Sequence, residues 1–133
     1  MVAITEIGLR ELFRHLGQWL TNLRRAGANR KKESTDALRS VIVASRETTV
    51  YVRHLNETGL QDHQEEARLS TIWTKLSFRL SDIGLTKLAK RCDIKGRYWS
   101  NPAQFDHTFL EKADVGLEKI EKLARQILVE TED

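Results

Sequence analysis

Leu9, Leu12, Leu16, Trp19 and Leu23 recur at steps of three and four, with Phe13 and Leu20 widening the same stripe. An α-helix brings side chains onto one face at this period, so the pattern predicts an amphipathic first helix over about 5–24. The polar run "RRAGANRKKEST" follows and reads as a loop, with Ser34, Thr35 and Asp36 as capping residues for the next helix. The segment after it is rich in strand-favouring side chains: Val41, Ile42, Val43, Thr48, Thr49, Val50, Tyr51 and Val52. Its spacing decides for helix, because Leu38, Val41, Ser45, Thr48, Val52 and Leu55 share one face. A second helix is therefore predicted over 37–56, with an unusually wide apolar arc and Gly59 placed to end it.

"LQDHQEEARL" opens a third helix, predicted to run to about Lys90 on Leu69, Trp73, Leu76, Leu80 and Ile83. A corner over 90–106 comes next. Gly96 is expected to supply a positive φ there, and Asn101 before Pro102 is biased away from helix. Pro102 then suits the first turn of a fourth helix over 105–130. That helix has three apolar heptad columns: Phe109, Gly116 and Leu123; Leu110, Leu117 and Ala124; Ala113, Ile120 and Ile127. Lys112, Glu118, Lys119, Glu121, Lys122 and Arg125 form its solvated face. Four amphipathic helices with short or moderate connections describe an all-α, antiparallel up-down-up-down four-helix bundle forming one domain over 1–133.

Composition agrees with this reading and narrows the setting. The chain has 133 residues, one proline, seven glycines and 31% charged side chains, enough length for one real core and a helical bias. Cys92 is the sole cysteine and has no partner for an intramolecular disulfide, so a cytoplasmic location is expected. The N-terminal stretch interleaves charges among its apolar positions, which matches neither a secretory leader nor a membrane span, and no membrane partner is expected.

A net charge of +3 does not by itself imply a nucleic-acid partner, but the distribution of charge is uneven. In an up-down bundle the first and third connections share an end. The first carries Arg24, Arg25, Arg30, Lys31 and Lys32; the third, with the last turn of the third helix, carries Lys87, Lys90, Arg91, Lys95 and Arg97. The opposite end collects Glu57, Asp62, Glu65, Glu66, Glu130, Glu132 and Asp133. A basic end with Tyr98 and Trp99 among the cations would attract phosphates and offer rings to exposed bases, pointing to nucleic acid or an acidic protein as partner. The plainer alternative is that basic residues suit helix C-termini and the two rings plug the bundle. Val43, Val50 and Tyr51 lie off the main stripe of the second helix, so a homodimer through 37–56 is an open alternative to a simply central helix.

Reactive chemistry is sparse. Asp62, His63 and Glu66 cluster at the start of the third helix, but no second histidine and carboxylate pair is predicted opposite, so neither metal nor cofactor is expected. Asp62 and Glu66 instead favour the helix N-terminus electrostatically. Cys92 follows two basic residues without a fixed histidine, His107 being fifteen positions on, and reads as a half-buried thiol. No Gly-rich phosphate loop, nucleophile elbow or CxxC pair occurs, and no catalytic residue is assigned. Arg10 and His15, in "RELFRH", resemble the arginine, four to six residues, histidine pattern of the HEPN ribonucleases, themselves small helical bundles. The likeness covers six residues. Glu11 stands where that family usually has a small polar or amide residue, and the pair falls in the first helix rather than late in the bundle. What the resemblance implies is an RNase in which His15 moves a proton and Arg10 stabilises the phosphorane, as the alternative to the binding role. A purely structural assembly subunit is the third reading.

Overall fold

The computed structural model describes residues 14, 17–19, 21–23, 25–104, 121, 122, 124–126, 128 and 129. Among these the protein is all-α, with no strand. Residues 17–19 and 21–23 are helical, and Trp19 and Leu23, four apart, are buried while Gly17, Gln18, Thr21 and Asn22 face solvent. Described residues over 121–129 are helical too, with Ala124 buried and Lys122 and Arg125 exposed. The remainder of the predicted first and fourth helices lies outside the described residues. This includes Phe109, Gly116 and Leu123, Leu110 and Leu117, Ala113 with Ile120 and Ile127, and the acidic tail at Glu130, Glu132 and Asp133.

Helix α1 spans Ala28–Thr58, much longer than the predicted 37–56. The expected loop shrinks to 25–27, and Gly27 precedes the helix in an extended conformation without a side-chain cap. Arg30, Lys31, Lys32 and Glu33 are good helix formers whose polarity made them look like a loop. Ser34, expected to cap, is instead fully buried inside the helix. The buried positions Ser34, Ala37, Leu38, Val41, Ala44, Ser45, Thr48, Tyr51 and Val52 keep the helical period, so spacing overrides the strand propensity of the valines. Tyr51 turns inward, which leaves only Val43 and Val50 of the proposed outer apolar set in solvent, 54% and 69% exposed. Gly59 ends the helix as expected, at φ 70° with its N–H donating to the Leu55 carbonyl at 2.8 Å.

Helix α2 spans His63–Asp82, and the Asp62 carboxylate accepts from the Gln64 and Glu65 N–H groups at its start. The predicted continuation to Lys90 is wrong. Gly84 takes φ 90°, its N–H donates to Ser81 O at 3.0 Å and the Leu85 N–H to Leu80 O at 2.8 Å, the two bonds of a Schellman stop. Leu80 and Leu85 are both fully buried, supplying the apolar contact that accompanies the motif. Helix α3 then spans Thr86–Ser100. The stretch expected to form a corner is thus helical to Ser100, and Gly96 lies inside the helix rather than at a left-handed stop. Its buried positions, Leu88, Ala89, Cys92, Lys95, Gly96, Tyr98 and Trp99, follow the helical step. Asn101, extended before Pro102, ends α3, and one 3-10 turn, Pro102–Gln104, follows.

Helices α1 and α2 run antiparallel. Along α1 and α2, Arg79 meets Ser40, Trp73 meets Thr48 and Glu66 meets Tyr51, so partner numbers fall as position rises. Helices α2 and α3 approach closely where Ser70 Oγ donates to the Gly96 carbonyl at 2.8 Å. The Trp19 indole N–H donates to Ile83 O at 2.8 Å, tying the N-terminal helical segment to the α2–α3 stop. Arg46 Nε meets Glu121 at 2.6 Å, bringing the C-terminal segment beside the middle of α1. Trp19, Leu23 and Ala124 join Leu38, Val41, Leu69, Trp73, Leu80, Leu85, Leu88 and Cys92 in one buried cluster.

Candidate functional site

Because α3 is a helix over its whole length, the ten basic residues expected around one end are divided. Lys87 and Arg97 are ten residues apart, about 15 Å along the axis. At the first end, Arg25 sits in the turn before α1, Arg30, Lys31 and Lys32 occupy its first turns, and Lys87 and Lys90 the first turns of α3; all six are exposed. The Arg30 guanidinium reaches the Gly84 turn, within 3.9 Å of where a Cβ would stand, and so connects the two groups. Glu33 and Asp82 are the exposed acids nearby. Arg25, Arg30, Lys31, Lys32 and Lys90 form no ion pair among the described residues. Both helices begin there without a side-chain cap or an acid in the first turn, so their N–H groups and partial positive charge add to the cations. Arg24 lies outside the described residues.

The rest of the expected set is elsewhere. Arg91 is half-buried, and desolvation lowers its pKa from the usual guanidinium value. Lys95 is 8% exposed with its ammonium 5.6 Å from the centre of the Trp73 ring. Arg97 is exposed and pairs with Asp93 at 3.0 Å. Tyr98 and Trp99 are 6% and 3% exposed, so neither ring is presented for stacking on a base. Trp99 meets Tyr51 edge to face at 5.4 Å, at the end opposite the exposed cations. The amphipathic turn of α3 explains this: of each successive turn, one side points at α1 and α2 whatever its polarity.

At this second end the Tyr51 hydroxyl accepts from the Asp62 N–H at 2.9 Å and donates to Glu66 Oε2 at 2.7 Å. Glu66 is buried, and its Oε1 lies 3.4 Å from Nδ1 of the exposed His63. The charge pattern along the sequence places Glu66 in the acidic end, beside His63 and favouring the helix N-terminus, rather than in the core. Its register, three before Leu69 and seven before Trp73, already placed it on the buried face. Asp62 is spent on capping α2, and among the described residues no group of three His, Cys, Asp or Glu side chains is set to hold a metal ion. Arg68 binds Glu65 and Glu47, which lowers the Glu65 pKa and raises its own.

Three buried acids titrate late: Tyr51, Cys92 and Tyr98, the last raised by burial and by the Glu66 carboxylate. Burial pushes the Tyr51 phenol from 10 up to about 12, helped by the Glu66 carboxylate and opposed by the Asp62 N–H. Cys92 is wholly buried rather than half-buried, and desolvation raises its thiol from 9 to about 12 against the pull of the Lys95 ammonium. Each group keeps its proton longer when folded than when unfolded. Their stabilisation is therefore complete below about pH 9 and is lost as pH rises toward 12. Urea midpoints measured across that window are expected to fall steadily, and Cys92→Ala to flatten the fall. A midpoint independent of pH there would mean that these groups are not buried.

Arg10 and His15, which carry the ribonuclease resemblance, lie outside the described residues. None of the described helices is long and apolar enough to cross a membrane. No protein-family model matches the chain, and no curated protein or solved structure is significantly similar to it.

Proposed function

We propose that the chain is a small, cytoplasmic, non-enzymatic interaction protein that binds nucleic acid or an acidic partner through the basic end formed by the start of α1 and the start of α3. The fold in this reading is an antiparallel helical bundle that the N-terminal and C-terminal segments complete. The observation that supports it is the set of exposed cations, Arg25, Arg30, Lys31, Lys32 and Lys90, without ion pairs among the described residues and beside two helix starts that lack acids. Elsewhere on the described surface the cations Arg46, Arg53, Arg68 and Arg97 are matched with Glu121, Glu57, Glu65 and Asp93. Unmatched cations clustered at one end draw a polyanion by releasing its counterions. Lys95, Tyr98 and Trp99 take no part in this version, because they are buried.

Labelled single-stranded RNA and duplex DNA, followed by fluorescence anisotropy, are expected to bind at low salt. With five phosphate contacts, affinity for the single strand should fall on the order of 10²-fold between 50 and 200 mM salt. Reversing Lys31, Lys32 and Lys90 to Glu should abolish binding, whereas Arg97→Glu at the other end should leave it intact. Equal loss in both variants, or no binding at low salt, would overturn the reading. Cleavage of the RNA during the same incubation would favour the ribonuclease alternative at Arg10 and His15. The assembly alternative draws on exposed Val43 and Val50, and predicts a stable oligomer indifferent to polyanions.

A further inference from the structure

A cleft of about 470 Å³ opens at the end opposite the basic cluster, between the start of α2 and the end of α3. Glu66 lies in its lining with Trp99, His63, Ser100, Asn101 and Pro102. The volume is within the usual range for small-molecule sites. A carboxylate 3% exposed is costly to bury unless charge or hydrogen bonds compensate it. What Glu66 receives is one neutral hydroxyl, from Tyr51, the N-terminal end of α2, and the edge of His63, whose own ring is almost fully in solvent. Among the described residues no lysine or arginine lines the cleft. The nearby cations are engaged: Arg68 with Glu65 and Glu47, Arg53 with Glu57, and Lys95 over the Trp73 ring.

The hydroxyls of Ser70 and Thr71, also in the lining, are turned to the backbone carbonyls of Gly96 and Ala67, so they neither donate to Glu66 nor ask for a ligand. The cleft thus pairs a buried carboxylate acceptor with apolar lining at Ala67, Pro102 and Ala103 and two side-chain amides, at Gln61 and Asn101. We infer that this cleft binds a small organic cation, an alkylammonium or guanidinium group on a short carbon stem, with its charge on Glu66 and its stem along the apolar lining of Ala67, Pro102 and Ala103. An anion is disfavoured by the carboxylate, and a wholly apolar ligand would leave Glu66 desolvated without a new partner. The inference is separate from the basic end, and each stands or falls alone.

The full chain, labelled with ¹⁵N, is titrated with n-butylammonium and agmatine, and with n-butanol and butyrate as uncharged and anionic matches, while amide and indole shifts are followed by NMR. The two cations are expected to move resonances of residues 63–71 and 99–103 with saturation below about 10 mM, and the alcohol to bind at least roughly tenfold more weakly. Glu66→Gln, which retains an acceptor for Tyr51, should weaken the cations by roughly tenfold or more. Ala67→Arg, at an exposed position in the lining, should block them by placing a tethered guanidinium at the mouth while leaving the fold unstrained. Butanol binding as well as butylammonium, cation binding unchanged in Ala67→Arg, or no saturable shift in the parent chain would each overturn the proposal, without reference to whether Glu66→Gln folds.

Discussion

Gly96→Ala is expected to melt at a lower temperature than the parent chain, although alanine is the better helix former by about 1 kcal/mol. Gly96 is in mid-helix, where its missing side chain is the space occupied by α2. A Cβ there would stand 3.1 Å from the Thr74 backbone nitrogen and 3.3 Å from the Ser70 carbonyl oxygen, and nearer still to Thr74 Oγ1. The hydroxyl can rotate away, but the two backbone atoms belong to a helix and cannot. Moving α3 outward to make room would also stretch the 2.8 Å bond from Ser70 Oγ to the Gly96 carbonyl. Overpacking of this kind costs about 1–3 kcal/mol for a small insertion and more for a large one. The packing loss exceeds the propensity gain, so alanine should lower the melting temperature by several degrees and Gly96→Val by clearly more. Circular dichroism melts decide it. A melting temperature raised by alanine would show that propensity alone governs position 96 and that α2 and α3 do not cross there.

Trp73→Ala is expected to remove about 3–5 kcal/mol of stability, a large share of what a domain of this size possesses. Trp73 is fully buried in the middle of α2 and joins it to α1 and α3. Its indole N–H donates to Thr48 Oγ1 at 2.8 Å, that hydroxyl donates onward to the Ala44 carbonyl at 2.7 Å, and the ring carries the Lys95 ammonium of α3 on its face. Truncation therefore leaves a cavity, an orphaned hydroxyl lone pair and a lysine without its ring. The polar part can be separated from the packing part. Trp73→Phe and Thr48→Val should each destabilise, and the double variant should cost less than their sum, with a coupling of about 0.5–1.5 kcal/mol. Strict additivity in chemical denaturation would mean that the hydrogen bond contributes nothing and that volume alone matters at this site.

Much of the fold was legible in the apolar spacing. Leu69, Trp73, Leu76 and Leu80 were read onto one face and are buried there. The strand-favouring valines of α1 did not mislead, because their period was helical. Two kinds of signal were misread for physical reasons. In 28–36 the polar, basic residues resembled a loop, yet residues 28–33 form exposed helical turns and Ser34 is the first fully buried side chain, so no buried apolar residue announces the helix. In 83–100 Leu85 and Leu88, five and eight positions after Leu80, leave the stripe of α2, but no proline marks the break, so the stop was hidden. Gly96 looked like a second stop when its role was close approach. The residue type is the same at both, and the backbone φ distinguishes the stop from the close approach: 90° at Gly84, and no positive value at Gly96.

The candidate sites divide along the same line. That cations gather at 24–32 and 87–97 is a property of the sequence, since charge is carried by each residue wherever it lies. Which of them share an end is a property of α3: once 86–100 is one helix, Lys87 and Lys90 stay beside Arg30, and Arg97 is carried about 15 Å away. Side-chain type likewise indicated that Tyr98 and Trp99 had to lie either under the helices or on a surface, and only the packing of α3 against α1 and α2 selected burial. The meeting of Tyr51, Glu66 and Trp99 was beyond any local pattern, because it joins three helices across the core. Sequence by itself determined the helical class, the stop at Gly59 and the apolar faces, all of which depend on neighbours a few residues away. Tertiary structure decided the break at Gly84, the partition of the cations and the buried carboxylate in its cleft, because each depends on which helix surface meets which.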